Sequence, residues 1–385
     1  MAAGRALEIV VNAAWKGRRV LVTGHTGFKG GWLSLWLHRM GAHVTGLSLP
    51  APTEPSLFEQ ACLDEIVDHH IGDVRDERVV RDAIAAARPE IVFHLAAQPL
   101  VRYSYDNPVE TYATNVMGTV HVLEACRKAD SVKAVVCVTT DKCYENREWI
   151  WPYREEDPMG GHDPYSSSKG AAELVIASYR RSYPHGPKIA SVRAGNVIGG
   201  GDWAGDRLIP DILRALMAGE RPMIRNPASV RPWQHVLEAL SGYLTVGERL
   251  LAGDDRAATA WNFGPSEDDA QPVGWIVERM LERWGGDIGW DQPNAPQPHE
   301  AVLLRLDSSK ARGLLGWKPR LDLNQSLTMI VDWYRLVASG ADARVMTLAQ
   351  IDEYAARPAE QNTARPTAGI AINAAQSAAG KEQAA

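Results

Sequence analysis

The chain has 385 residues, 45% of them hydrophobic and 23% charged, with a formal net charge of −6. That length can bury a full core, as two domains or one large domain with a satellite, and the composition is ordinary for a globular protein. Mild acidity leaves no electrostatic footprint for nucleic acid or an anionic membrane, so neither is expected as a partner.

No apolar run is long enough to span a bilayer, and the stretch from Met1 to Trp15 lacks the apolar length of a secretion signal. The four cysteines, Cys62, Cys126, Cys137 and Cys143, form no CxxC pair and no metal-ligand spacing with histidine. Reduced thiols in a cytoplasmic protein, with no bound metal, are therefore expected.

Residues 1–16 read as a loose lead-in. Arg19 to Thr23 is a short β-prone run, followed at once by Gly24-His25-Thr26-Gly27-Phe28-Lys29-Gly30. A helix is predicted from Gly31, with Leu33, Trp36, Leu37 and Met40 on one face, ending at Gly41. Strand, glycine turn and helix in succession are the context of a dinucleotide site: glycines admit a pyrophosphate close to the backbone, and the helix N-terminus supplies free N–H groups. Gly24, Thr26, Gly27, Phe28, Lys29 and Gly30 are its candidate contacts.

A second strand over 42–48 ends in Ser48-Leu49-Pro50, with neither the carboxylate that binds a ribose nor a basic group to clamp a 2′-phosphate. NAD is the better expectation of the two dinucleotides. A third strand (66–71) leads to Asp73 and Val74, where Asp73 is a candidate partner for the adenine amino group and Asp76 the expected helix cap. A helix over 77–87 and a buried strand over 91–95 follow. That strand ends in Ala96-Ala97-Gln98, small residues suited to a surface pressed against a cofactor.

A long helix is expected over 108–128, with Val116, Val120 and Leu123 on its core side and Asn115 in a structural role. A fifth strand (132–140) opens into Thr140-Asp141-Lys142, which sets a hydroxyl, a carboxylate and an amine side by side. The next helix (164–183) carries Tyr165 and Lys169, four residues apart and so on one face. After the sixth strand (189–194), residues 195–203 read as a glycine-rich loop too flexible for a strand. Helices over 208–217 and 236–251, a strand over 258–263 and a smaller α-rich region to about residue 345 complete the folded part, and a tail over 358–385 is expected to stay disordered.

Alternating strands and helices predict an α/β, Rossmann-type, doubly wound parallel sheet. Residues 17–195, rejoined by 232–265, form the expected NAD-binding domain. Residues 196–231 and 266–345 form a smaller α-rich substrate-binding domain.

The motifs TGHTGFKG (23–30), HLAAQ (94–98), the Thr140 region, YSSSK (165–169) and LLGWKP (314–319) occur here in one order and spacing. Together they resemble the extended short-chain dehydrogenase/reductases that act on nucleotide sugars, over about residues 17–336. The pair Asp141-Lys142 resembles the 4,6-dehydratases among them, and a lysine at the second position resembles the branch acting on CDP-glucose.

The resemblance implies NAD-dependent conversion of CDP-D-glucose to its 4-keto-6-deoxy form, by C4 oxidation, loss of water across C5 and C6, and hydride return to C6. Tyr165 is the implied C4 base, its pKa lowered by Lys169 and the cofactor, with Thr140 orienting the sugar oxygen. Asp141 is the implied acid and Lys142 the implied base of the elimination, or a cation that stabilises the enolate. Asn196, Arg207, Arg225, Asn226, Arg231 and Glu300 are candidate substrate contacts, the arginines suiting a diphosphate. The family resemblance also implies a homodimer through a four-helix bundle. A nucleotide-sugar 4-epimerase or C4 oxidoreductase with the same Tyr165/Lys169 pair is the alternative.

Overall fold

In a computed structural model, which describes residues 13–293 and 304–358, seven strands form one parallel sheet in the order β3-β2-β1-β4-β5-β6-β9. They are β1 (Arg19–Thr23), β2 (His43–Ser48), β3 (Asp68–Ile71), β4 (Ile91–His94), β5 (Ala134–Val138), β6 (Lys188–Ala194) and β9 (Ala260–Phe263). Three short strands, β7 (Asn196–Ile198), β8 (Val230–His235) and β10 (Ala270–Pro272), make a second sheet beyond its carboxyl edge. The first half of the chain supplies helices α1 (Phe28–Arg39), α2 (Leu57–Gln60), α3 (Glu77–Ala87), α4 (Val101–Asp106), α5 (Pro108–Tyr112), α6 (Gly118–Lys128) and α7 (Pro164–Ser182). The second half supplies α8 (Leu208–Met217), α9 (Val236–Leu251), α10 (Val273–Trp284), α11 (Leu323–Ala338) and α12 (Ala343–Ala356). This is the Rossmann-type doubly wound arrangement.

Strands covered on both faces read as near-continuous apolar runs, as β1, β4 and β5 do, whereas the edge strand β3 is polar and largely exposed. Leu21, Val92, Val135, Cys137 and Ile189 face a cluster with Val80 and Ile84 of α3, Val122, Leu123 and Cys126 of α6 and Ile176 of α7. Their neighbours Val20, Val22, Phe93, Val136 and Val192 face the opposite cluster, with Trp32 and Trp36 of α1 and Leu240 and Tyr243 of α9.

Five expectations change. The lead-in is ordered by residue 15: Trp15 is fully buried and its indole donates to Glu248 at 2.6 Å. Helix α1 begins three residues earlier than expected, at Phe28, and is buried nearly all round rather than on one face. The reason is α12, an element the sequence pattern did not reveal, which packs on its far side through Trp36 and Tyr354 and a two-pronged Arg39–Asp352 pair. Between α5 and α6 a π turn (Ala113–Met117) adds a residue to the coil, so Val116 and Val120 come out half-buried while Val122, Leu123 and Cys126 reach the core. Finally, residues 196–198 do form a strand, because β8 offers a parallel partner. Glu300, residues 1–12 and the tail beyond 358 lie outside the described residues.

Helix α12 is locked by a buried carboxylate. Glu238 accepts hydrogen bonds from the Arg320 and Leu321 amides and from the Tyr354 hydroxyl, each at 2.8 Å. Burial pushes its pKa up from 4.5 to about 7. A carboxyl with a raised folded-state pKa favours folding when protonated, so its contribution is lost as pH rises through that window. Wild-type Tm is therefore expected to fall between about pH 5 and about pH 8, and Glu238→Gln, measured by calorimetry, to show a smaller fall.

Candidate active site

The sheet order turns back between β1 and β4, and a crevice opens at their carboxyl ends. One wall is the Gly24–Gly30 turn. Gly24 has φ +78°, and a Cβ there would lie 2.7 Å from the Ala96 amide. A Cβ on Gly30 would fall inside contact distance of the Gly24 carbonyl oxygen, so the turn and the start of α1 must be glycine to pack this closely. The N-terminus of α1 has no side-chain cap and no acidic residue in its first turn, which leaves its N–H groups open to an anion. These features fit the pyrophosphate of a dinucleotide.

Other candidates in this wall have partners within the protein. Thr26 is turned to the end of β2, donating to Leu49 O at 2.9 Å and sharing a hydrogen bond with Ser48 at 2.7 Å. The Gln98 amide braces its own loop, donating to Leu100 O and Thr111 and accepting from Leu100 N. Asn115 clasps the Gln98 backbone through both its N–H and C=O, which is the structural role expected of it. Asp73 holds Arg75 at 2.7 Å, and Val74 is buried; Asp76 caps α3.

At the end of β5 the chain enters a 3₁₀ turn, Asp141–Cys143, capped by the Thr140 hydroxyl. That hydroxyl donates to Asp141 Oδ1 at 2.9 Å and lies near enough to the Tyr165 phenol to lower its pKa. Asp141 is buried with Oδ2 unpartnered, and burial raises its pKa even though Lys142, Arg231 and Lys29 pull it down. Lys142 is half-buried beside it.

Tyr165 and Lys169 are both buried on one face of α7, as their spacing required. Burial pushes the Tyr165 pKa up to about 12, against the lowering effects of Thr140 and Arg207. The Lys169 ammonium is directed at Val138 O, 3.4 Å away, and burial lowers its own pKa to about 8.

Lys29, from the glycine turn, reaches the same cluster. Its pKa is lowered to about 8, first by burial and then by Arg207 and Lys169, against Asp141 and Asp202. Arg207 pairs with Asp202 at 2.9 Å, and Arg231 stands close enough to draw down Asp141. Asn196 is half-buried at the start of β7. Arg225 lies farther out, 3.4 Å from Asp206, and Asn226 sits in the turn beside it.

Sequence reasoning missed the charges behind this cluster. Glu173 and Arg193 form a buried two-pronged ion pair at 2.7 and 2.8 Å. Both left a signal. Glu173 extends the Tyr165, Lys169 spacing by one more turn, and Arg193 is a charge inside an otherwise apolar strand, which demands a partner.

A profile of the GDP-mannose 4,6-dehydratase family matches residues 21–330. The chain belongs to this family. It is 55% identical over 347 residues to the CDP-glucose 4,6-dehydratase of Salmonella typhimurium, covering 88% of this chain and 97% of that enzyme. Among solved structures, a dTDP-glucose 4,6-dehydratase from Streptomyces venezuelae with NAD bound superimposes with a TM-score of 0.71 at 25% identity, covering 82% of this chain and 97% of that one. The UDP-glucose 4-epimerase of Thermotoga maritima shares the fold, with a TM-score of 0.72 at 24% identity over 83% and 99% of the two chains. The fold alone therefore does not select one chemistry.

A buried carboxyl with a raised pKa weakens the fold at any pH where it is ionised. Asp141→Asn is expected to raise Tm by a few degrees at about pH 8 while abolishing turnover, as measured by calorimetry and product assay.

Proposed function

We propose that the chain converts CDP-D-glucose to CDP-4-keto-6-deoxy-D-glucose, an NAD-dependent hydro-lyase reaction. The observation that carries this reading is the 55% identity to CDP-glucose 4,6-dehydratase across nearly that enzyme's whole length. The buried Thr140, Asp141 and Tyr165 and the half-buried Lys142, gathered at the carboxyl end of β5, supply groups the chemistry needs.

The crevice between the Gly24–Gly30 turn and Ala96-Ala97-Gln98 would hold NAD, which would supply reversible hydride acceptance for the C4 oxidation and the C6 reduction. Gly24, Gly27 and the α1 N-terminus would hold its pyrophosphate, with Phe28 and Lys29 as further candidate contacts. Asp73 and Val74 would border the adenine.

The chain's own residues move the protons. Tyr165 takes the proton of the sugar 4-hydroxyl while Thr140 hydrogen-bonds the same oxygen, and the Lys169 ammonium stabilises the phenolate. The 4-ketone then acidifies C5–H. Lys142 removes that proton or stabilises the enolate as a cation, and Asp141 protonates the departing 6-hydroxyl. The raised pKa of Asp141 supports the acid role, because a carboxyl must carry a proton before it can donate one.

Arg207 and Arg231 bind the diphosphate in this reading. Asn196 meets the sugar side, and Arg225, Asn226 and Glu300 lie farther along the nucleotide. The division into an NAD-binding part (17–195 with 232–265) and a substrate-binding part (196–231 and 266–345) belongs to the same reading. So do a cytoplasmic location and a homodimer built on the α5–α6 and α7 helices, whose exposed Val109, Met117 and Leu174 support it.

Incubation with CDP-, dTDP-, GDP- and UDP-glucose, followed by NMR of the products, tests the substrate. CDP-glucose is expected to be consumed fastest, with a C6 methyl signal appearing; a product differing only in C4 configuration would instead mean an epimerase. With C4-deuterated substrate, deuterium is expected at C6, and its loss to solvent would exclude internal hydride return. Lys142→Met is expected to lower turnover by about a hundredfold, with substrate affinity by calorimetry nearly unchanged. Turnover at the wild-type rate would remove Lys142 from the mechanism.

A further inference from the structure

The segment that carries Thr140, Asp141 and Lys142 is held at both ends by one buried ion pair. At its start, the Thr139 hydroxyl donates to Glu173 Oε1. At its end, the Tyr144 hydroxyl accepts from Arg193 Nη1 at 2.6 Å and donates to Asn262 at 2.8 Å. Glu173 and Arg193 close the loop between them with two parallel hydrogen bonds, and Ser191 Oγ adds a third to the carboxylate at 2.8 Å. Arg193 Nη1 also reaches Glu155 O at 3.1 Å, and its guanidinium lies 5.0 Å from the Tyr144 ring centroid. Both charges are 4% exposed, so water does not compete for these contacts.

The same carboxylate stands one helical turn beyond Lys169. Burial works against its ionisation, but Arg193 and the hydrogen bonds from Thr139 and Ser191 hold its pKa below the ordinary value. A second role follows from position. Lys169 is faced by Glu173 from its own helix, Cys137 from β5, Cys143 from the turn, His94 from β4 and Lys29 from α1. The cysteines are un-ionised, their pKa values pushed up by burial, and His94 is kept neutral in the same way. Glu173 is therefore the fixed negative charge among the groups facing that ammonium.

We propose that Glu173 is a positioning residue for the reaction: anchored on Arg193, its carboxylate sets the Thr139–Tyr144 segment and serves as the counter-charge behind Lys169. The proposal rests on the functional reading above for Lys169's task, but not for its charge. A purely structural pair would affect folding alone. A counter-charge also decides the pH at which Lys169 loses its proton. Activity that needs Lys169 charged is present below the Lys169 pKa and lost as pH rises through it, so removing Glu173 must move that loss to lower pH.

Two measurements on the full chain separate these cases. Trace acetylation with acetic anhydride across pH, read at Lys169 by mass spectrometry, reports the ammonium directly and needs neither substrate nor an assumed activity. Glu173→Gln is expected to move the Lys169 profile down by about one pH unit, and to move the alkaline limb of kcat with it; Glu173→Asp is expected to restore much of both. Should Glu173→Gln fail to fold, Glu173→Met combined with Arg193→Met removes both charges together and is expected to show a smaller downward shift, because loss of the Arg193 charge partly offsets loss of the nearer Glu173. Tyr144→Phe, which loosens the far end of the segment and leaves Glu173 in place, is expected to lower kcat by about tenfold with KM little changed and no shift in the Lys169 profile. A lowered Tm with an unmoved Lys169 profile, in Glu173→Gln or in the double variant, overturns the counter-charge; unchanged kcat in Tyr144→Phe overturns the positioning. A shifted Lys169 profile with no turnover of CDP-glucose leaves this inference standing and sinks the functional reading instead.

Discussion

The contact between Gly30 and the carbonyl of Gly24 is the constraint from which the rest of the crevice follows. With no side chain at either position, α1 can start directly over the end of β1 and point its open N–H groups at the gap between β1 and β4. A Cβ at Gly30 would push the helix away, and the site would lose both its depth and its positive end. Ala96 presses on the same turn from β4, which is why small residues recur on both walls.

Behind that surface the protein keeps several ionisable groups out of water, and their neighbours settle which form each takes. Burial favours a neutral Asp141 and weakens the charge on Lys29 and Lys169. Glu173 and Arg193 remain ionised because each satisfies the other and the remaining lone pairs and protons find Thr139, Ser191, Tyr144 and Glu155. A buried pair arranged this way adds little to stability over an apolar replacement, whereas breaking it is costly. Its value here lies in geometry, since one rigid unit determines where a strand end, a turn and a helix face meet.

Much of this was legible beforehand. Periodicity located all seven strands of the main sheet to within about two residues, and the four-residue spacing put Tyr165 and Lys169 on one buried face. What failed did so for identifiable reasons. Val116 and Val120 were assigned to the core on a regular helical period that the π turn breaks. Residues 195–203 look too glycine-rich for a strand, yet 196–198 pair once β8 is alongside. Trp15 seemed part of a loose leader because nothing local shows that Phe93 and Glu248 wait for it.

The sequence by itself determined the class of fold, the glycine turn, the Thr140-Asp141-Lys142 run and the Tyr/Lys helix, because each is a local pattern tied to local physics: period, φ freedom or side-chain spacing. Only the tertiary structure decided the protonation states and the bracing. Whether Asp141 keeps its proton depends on burial set against cations far away in the chain, such as Arg231 and Lys29, and the pairing of Glu173 with Arg193 joins a helix to a strand. Burial and long-range charge belong to the assembled fold, and so does the chemistry they tune.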